Sequence, residues 1–268
     1  MRRSRFTAFT TSLLLATGLA LTGAATAQAS PLAATGGYVA LGDSYSSGVG
    51  SGSYISSSGN CNRSTKAYPY LWNAAHVPSS FAFNACSGAK TGDVLSGQLG
   101  SLSTSTALVS ITIGGNDAGF ADVMTTCVLQ SDSACLSRIN TAKAYVDSTL
   151  PGKLDSVYSA ISAKAPSARV VVLGYPRFYK LGTTCVGLSE TKRAAINDAA
   201  DYLNTATQKR ALDHGFVFGD VRTTFTGHEL CSGSAWLHSL DLLDIGESYH
   251  PTASGQSGGY LPALTGAA

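Results

Sequence analysis

The sequence has few charged residues and no long apolar segment beyond its N-terminus. Lys, Arg, Asp and Glu together make up 13% of its 268 residues. After about residue 34, no run reaches the ~20 apolar residues that a membrane-spanning helix requires. The stretch Gly48–Gly52 is not followed by Gly-Lys-Ser/Thr, so it does not predict a phosphate-binding loop. We find neither internal repeats nor linkers, and we therefore expect one globular domain without a stable membrane anchor.

The N-terminal segment has the pattern of a secretory signal peptide. Three arginines within the first five residues precede the apolar run Leu13–Leu21, and small residues follow. We expect residues 1–34 to be the signal peptide, with cleavage between residues 27 and 34, and residues 35–268 to form the secreted domain. This removal leaves 15 basic residues against 16 acidic ones. The mature chain therefore offers no electrostatic reason to expect a nucleic-acid partner.

The sequence also lacks a Cys-x-x-Cys motif, and no histidine lies at zinc-finger spacing. A metal site is therefore not predicted, and we expect no cofactor. An even number of cysteines in an exported chain favours disulfides, for which the sequence alone allows fifteen pairings. The six cysteines are Cys61, Cys86, Cys127, Cys135, Cys185 and Cys231.

Short apolar runs alternate with segments of helical periodicity along the rest of the chain. We expect helices over 68–76 and 118–165, the second divided at Pro151, and a third helix that Ser189 caps. The inner face of the third helix is expected at Ile196, Ala199, Leu203 and Ala206. The alternation predicts an α/β fold: a three-layer α/β/α sandwich around a mostly parallel, doubly wound sheet. The expected strands are 38–41, 81–84, 108–113, 169–175, which Pro176 would stop, and 216–218.

Ser44 is the candidate nucleophile, because it comes directly after the first expected strand. In open α/β sheets, ligands bind outside the carboxyl ends of the strands. The run Leu108–Ile113 likewise ends in Gly-Gly-Asn-Asp, which would bring Asn116 to the same edge. Taken alone, Ser44 could equally be a serine in a flexible Gly/Ser turn.

Four separated blocks together resemble the SGNH/GDSL hydrolases. They are Gly42-Asp43-Ser44, Gly88 after Cys86, Gly114-Gly115-Asn116-Asp117, and His250 before Pro251. The resemblance covers about residues 36–262. Its cysteine spacing and C-terminal block are most similar to those of the secreted streptomycete GDSL lipases. The implied fold is flavodoxin-like.

The resemblance also implies a role for each matched residue. Ser44 would be the nucleophile and His250 its general base. The oxyanion would be bound by the backbone N–H groups of Ser44 and Gly88 and by the side-chain amide of Asn116. The implied disulfides are sequential: Cys61 with Cys86, Cys127 with Cys135, and Cys185 with Cys231.

The group that orients His250 is open at this stage. The family usually has Asp three residues before the histidine, but Glu247 occupies that position here. The alternative is the backbone carbonyl of Ser248, which the resemblance favours. We interpret Asp43 and Asp117 as structural. A Gly-x-Ser-x-Gly pattern around Ser257 is set aside, because no strand precedes it and no histidine follows it.

The expected function is that of a secreted, monomeric serine ester hydrolase. Its substrates would be acylglycerols and other acyl esters, cleaved through an acyl-enzyme on Ser44. A phospholipase or a carbohydrate acetyl esterase is the alternative within enzymes. The alternative that is not an enzyme is an inactive binding module with the same fold.

Overall fold

The computed structural model describes residues 36–241 and 245–268, and the expected signal peptide lies outside them. Five strands form one sheet in the order β2-β1-β3-β4-β5, and every neighbouring pair is parallel. The expected α/β fold is confirmed, with a fully parallel sheet. The strands are β1 Gly37–Gly42, β2 Phe81–Phe83, β3 Thr106–Thr112, β4 Arg169–Leu173 and β5 Val217–Gly219.

Helices cover both faces of the sheet. One layer contains α2 and α8, which pack against each other, and the other contains α5, α6 and α7. The helices are α1 Ser44–Ser47, α2 Tyr68–His76, α3 Thr91–Asp93, α4 Phe120–Leu129, α5 Asp132–Ser148, α6 Leu150–Lys164, α7 Glu190–Asp213 and α8 Leu261–Ala267. Tighter or wider helical turns occupy Ser56–Cys61, Val94–Gln98, Leu99–Ser101 and Gly255–Tyr260.

The segment 118–165 contains three helices, whereas the sequence predicted two. Pro151 lies in the first turn of α6, where its missing N–H breaks no helical hydrogen bond. The additional break comes at Ser131, whose hydroxyl accepts a hydrogen bond from the backbone N–H of Ala134 and so begins α5. Ser131 thus divides a segment that the sequence predicted to be one helix as far as Pro151.

Helix α7 begins as predicted, with the Ser189 hydroxyl accepting from the backbone N–H of Lys192 at 3.2 Å. Its inner face agrees with the prediction at Ile196 and Leu203 and differs at Ala199 and Ala206. Ala199 and Ala206 are only half-buried, and the buried positions advance by steps of three and four residues along one stripe. This stripe is Ile196, Ala200, Leu203, Thr207 and Ala211.

Three disulfides join Cys61 to Cys86, Cys127 to Cys135 and Cys185 to Cys231. These are the pairs that the family resemblance implies. Within residues 36–241 and 245–268, no helix is both long and apolar enough to cross a membrane. The same residues contain no cluster of three or more His, Cys, Asp or Glu side chains that could bind a metal ion.

The strand order reverses its direction between β1 and β3. The carboxyl ends of these two strands therefore border the crevice in which open α/β sheets bind ligands. Ser44 follows β1 and Asn116 follows β3. The topology consequently brings both candidate residues to the switch point of the sheet.

Candidate active site

Ser44 is the first residue of the short helix α1, not part of the flexible Gly/Ser turn that its composition suggested. Asp43 caps this helix, and its Oδ1 atom accepts from the backbone N–H of Tyr45 at 3.0 Å. Gly48 ends the helix with φ of +89°, a conformation that favours glycine. The cap engages the second N–H of the helix, which leaves the N–H of Ser44 able to donate elsewhere.

His250 reaches Ser44 from the opposite end of the chain. Its Nε2 atom lies 2.7 Å from the Ser44 Oγ atom, across 206 positions of sequence. The backbone N–H of His238 donates to the carbonyl of His250, and the Tyr45 hydroxyl donates to the carbonyl of Tyr249, both at 2.9 Å. These two hydrogen bonds fix the main chain of Tyr249 and His250, and with it the position of the imidazole.

Burial makes His250 a neutral base. It lowers the pKa of the imidazole to about 4, and the nearby backbone carbonyls of Ser248 and Glu247 oppose this shift. The Nδ1 atom is buried and makes no hydrogen bond of ordinary geometry with any residue in 36–241 or 245–268. The Glu247 carboxylate accepts instead from the hydroxyl of Tyr54. The carbonyl of Ser248 is thus the better candidate for orienting the ring.

Asn116 lies beside Ser44 at the end of β3. Its Nδ2 atom donates to the carbonyl of Ala89 at 3.1 Å, which uses one of its two N–H groups and leaves the other able to bind an oxyanion. Gly88 precedes this anchoring carbonyl and has φ of +76°. The loop is tied to β1 by a bond from the N–H of Cys86 to the carbonyl of Gly42.

Asp43 and Asp117 both make structural contacts, as predicted. Asp117 accepts from the N–H and the hydroxyl of Thr91 at 2.9 and 2.6 Å. Asp43 accepts from the hydroxyls of Thr112 and Tyr175 in addition to its cap. Burial raises the pKa of Asp43 to about 6, although these hydrogen bonds favour the charged form.

The other histidines make contacts away from the Ser44 hydroxyl. His76 stacks on Trp72 and His228 on Trp236. His214 pairs with Asp155, while His238 contacts the carbonyl of Gly50 through its Nε2 atom at 2.6 Å.

Ser257, which the sequence analysis rejected as a nucleophile, is exposed on the helical turn Gly255–Tyr260. Its hydroxyl donates a hydrogen bond to the carbonyl of Ala253.

An apolar cleft opens beside Ser44 and Asn116, with about 710 Å³ of space free of protein atoms when its open, solvent-filled mouth is included. Its walls come mainly from α4, α5 and α7, together with Phe178 after β4, and the sequence did not predict that these residues line a site. The only signal would have been the apolar faces of three separate helices, and their convergence is not visible in sequence. The walls include Phe120, Val123, Met124, Ala142, Val146, Phe178, Ile196, Ala199, Ala200 and Leu203.

Gly88 does not line this cavity. It borders a second pocket on the β2 side together with Arg63, Asn84, Asp93 and Gln98. Ser44 therefore contacts His250 directly, and Asn116 lines the same cavity as Ser44, whereas Gly88 is connected to Asn116 through its neighbour Ala89. A hydroxyl in contact with a neutral imidazole, beside an amide donor, is the arrangement that acyl transfer to serine requires.

Comparisons with known proteins agree with this arrangement. Residues 40–257 match the model of the GDSL-like Lipase/Acylhydrolase family. The chain is 78% identical to Lipase 1 of Streptomyces coelicolor over the full length of both. It is also similar to the crystal structure of phospholipase A1 from Streptomyces albidoflavus (TM-score 0.86, 69% identity) and to that of an extracellular lipase from Streptomyces rimosus (TM-score 0.85, 68% identity). Each comparison covers 88% of this chain and 100% of the other.

Proposed function

Because the chain belongs to the GDSL-like lipase/acylhydrolase family and is an ester hydrolase, we propose that it is a secreted lipase that works through an acyl-enzyme on Ser44. The observation that carries this proposal is the 2.7 Å contact between Ser44 Oγ and His250 Nε2, with Ser44 lining an apolar cleft. The three disulfides and the leader-like N-terminus support export, and we propose a monomer.

The reaction begins with attack of Ser44 Oγ on the ester carbonyl. The Nε2 atom of His250 takes the hydroxyl proton and later donates it to the leaving alcohol. The developing oxyanion is bound by the N–H of Ser44, the free N–H of the Asn116 amide and the N–H of Gly88. A water molecule, deprotonated by His250, then hydrolyses the acyl-enzyme and releases the fatty acid.

The cavity favours long acyl chains. Burying one methylene group contributes about 0.8 kcal/mol, so each added carbon that enters an apolar cavity raises kcat/KM about fourfold. An acetyl group would contact few of the apolar wall residues, which argues against a carbohydrate acetyl esterase. The similarity to phospholipase A1 from Streptomyces albidoflavus favours one second candidate, hydrolysis of a phospholipid acyl ester.

The test is a panel of nitrophenyl esters from acetate to palmitate, measured beside a triacylglycerol and a phospholipid. We expect kcat/KM to rise with chain length until the cavity is filled, and a serine-directed phosphonate to label Ser44 stoichiometrically. Ser44→Ala should lose both labelling and hydrolysis while keeping the wild-type fold. A folded Ser44→Ala protein with more than about a tenth of the wild-type kcat would end the assignment.

A further inference from the structure

We infer that Tyr175 is a positioning residue that fixes the distance between the nucleophile turn and the oxyanion-binding turn, an inference that rests on the proposed function. Its hydroxyl makes two hydrogen bonds. It donates to Oδ2 of Asp43 at 2.5 Å and accepts from the backbone N–H of Gly115 at 3.2 Å. Asp43 directly precedes Ser44, and Gly115 directly precedes Asn116. One hydroxyl thus bridges the two turns that carry the reacting and stabilising groups.

Tyr175 is itself held firmly from helix α7 and from the C-terminal helical turn. Asn204 is fully buried and binds the main chain of Tyr175 twice, through Oδ1 to its N–H at 2.8 Å and through Nδ2 to its carbonyl at 2.7 Å. The hydroxyl of Tyr260 donates to the carbonyl of Gly174 at 2.9 Å. The bridging hydroxyl is therefore supplied by a rigid part of the core.

The ring of Tyr175 also limits how closely the second turn can approach. A Cβ atom added at Gly115 would come within 3.3 Å of the ring carbon Cζ and of the hydroxyl oxygen of Tyr175. That separation is tighter than an ordinary van der Waals contact, so glycine at this position permits the approach that the hydrogen bond requires. The ring lies edge-on to Tyr45, which follows Ser44, with 5.1 Å between centroids. The two hydrogen bonds of the Tyr175 hydroxyl and the packing of its ring therefore both set the distance between the nucleophile turn and the oxyanion-binding turn.

Asn116 can bind an oxyanion only where its amide lies at the correct distance from the attacked carbon. A displacement of about 1 Å in such a group can cost on the order of a hundredfold in rate. Because the ring remains in Tyr175→Phe, substrate contacts with the cavity wall persist while both bridging bonds are lost. We expect kcat to fall between about tenfold and a hundredfold and KM to change by less than about threefold.

Tyr158→Phe is the matched control. Its hydroxyl is also buried but has no hydrogen-bond partner among the described residues, and its ring packs against His214 and Phe216. This variant should keep kcat and KM within about twofold of wild type. A general effect of removing a buried tyrosine hydroxyl would lower both variants equally and would overturn the inference.

The decisive experiment combines Tyr175→Phe with Asn116→Ala. If Tyr175 acts through the amide of Asn116, the double variant should be no more than about threefold slower than Asn116→Ala alone. Losses that multiply would overturn the inference, as would a Tyr175→Phe kcat within twofold of wild type. If Asn116→Ala itself keeps wild-type kcat, the proposed oxyanion site fails, an outcome distinct from failure of Tyr175 alone.

Gly115→Ala provides an independent test should Tyr175→Phe fold poorly. This substitution keeps every hydrogen-bonding group and moves the β3 turn away from the Tyr175 ring by a few tenths of an ångström. We expect lower kcat and weaker inhibition by an alkyl boronic acid, which forms a tetrahedral anion on Ser44, with unchanged binding of the fatty-acid product. If the boronic acid and the fatty acid both bound more weakly by the same factor, the inference would be overturned, because this would mean that the cavity itself was altered.

Discussion

The carboxylate of Glu247 accepts a hydrogen bond from the hydroxyl of Tyr54, although Glu247 lies three residues before His250. The same Tyr54 hydroxyl accepts from the backbone N–H of Gly50 at 2.9 Å. The carbonyl of Glu247 accepts from the N–H of His250 at 3.1 Å. Glu247 therefore connects the histidine segment to the loop after α1, and its side chain is directed to this contact and not to the imidazole.

We expect Glu247→Gln and Glu247→Ala to lower kcat by less than tenfold. A carboxylate that orients a catalytic histidine is worth on the order of 10⁴ in kcat, and Glu247 does not make that bond. Steady-state kinetics of both variants decide the point. Tyr54→Phe is the control, because it removes the same hydrogen bond from its other end and should match Glu247→Ala. A loss of a thousandfold or more in a normally folded variant would make Glu247 the third member of a triad.

The acid limb of the pH–rate profile should have its midpoint at a much lower pH than it would with an ordinary histidine base. Burial lowers the pKa of His250 to about 4, so the imidazole stays neutral and able to accept the Ser44 proton down to that pH. We expect kcat/KM to remain near its plateau at pH 6 and to fall as pH decreases toward 4. The His250 Cε1–H resonance followed by NMR should titrate with the same midpoint. A midpoint near 6.5 in both measurements would contradict the buried, neutral base.

Asn116→Ala should reduce kcat by roughly 10²–10³ with little change in KM. Its free N–H would bind the oxyanion much more strongly than the ground-state carbonyl, so its loss affects the transition state. Kinetics at saturating and limiting substrate separate the two parameters. A change mainly in KM would instead identify Asn116 as a group that positions the substrate.

The disulfides should stabilise the fold according to the length of chain that each encloses. Cys185–Cys231 spans 46 positions and Cys127–Cys135 spans 8. Loop-closure entropy predicts that replacing the longer bridge by serines costs about 1.5 kcal/mol more than replacing the shorter one. Urea unfolding of the two double variants measures this difference.

Reductant should likewise lower the Tm of the wild-type protein, and a chelator should leave activity unchanged. Six free thiols in the unreduced, secreted protein would refute the three bridges.

Narrowing the cavity should shorten the preferred acyl chain. Ala200 lines the cavity from α7, and Ala200→Leu would displace about three methylene groups of a bound chain. At about 0.8 kcal/mol per methylene, kcat/KM should fall ten- to a hundredfold for palmitate esters and stay within about threefold for acetate. Ala206→Leu, on the same helix but outside the cavity, is the control. Equal losses for both ester lengths would mean that the acyl chain binds elsewhere.

Local patterns in the sequence were sufficient to predict most helices and strands and to select the candidate catalytic residues. The limits of α2 agree with the prediction at both ends, and the five strands occur where short apolar runs lead into Gly or Asn. The four motif blocks identified Ser44 and His250. These features depend on neighbouring residues, because strand and helix periods and turn preferences act over a few positions.

Tertiary structure decided the contacts that join distant parts of the chain. Composition suggested that Ser44 lies in a flexible turn, but the cap from Asp43 makes it the start of a helix. The partner of Glu247 is Tyr54, which lies 193 positions away. The bridge through Tyr175 requires β1, β3 and β4 to be adjacent, and the apolar cavity beside Ser44 requires three helices to converge. No local pattern encodes these contacts, because they follow from the packing of whole elements against a sheet whose strand order differs from the chain order.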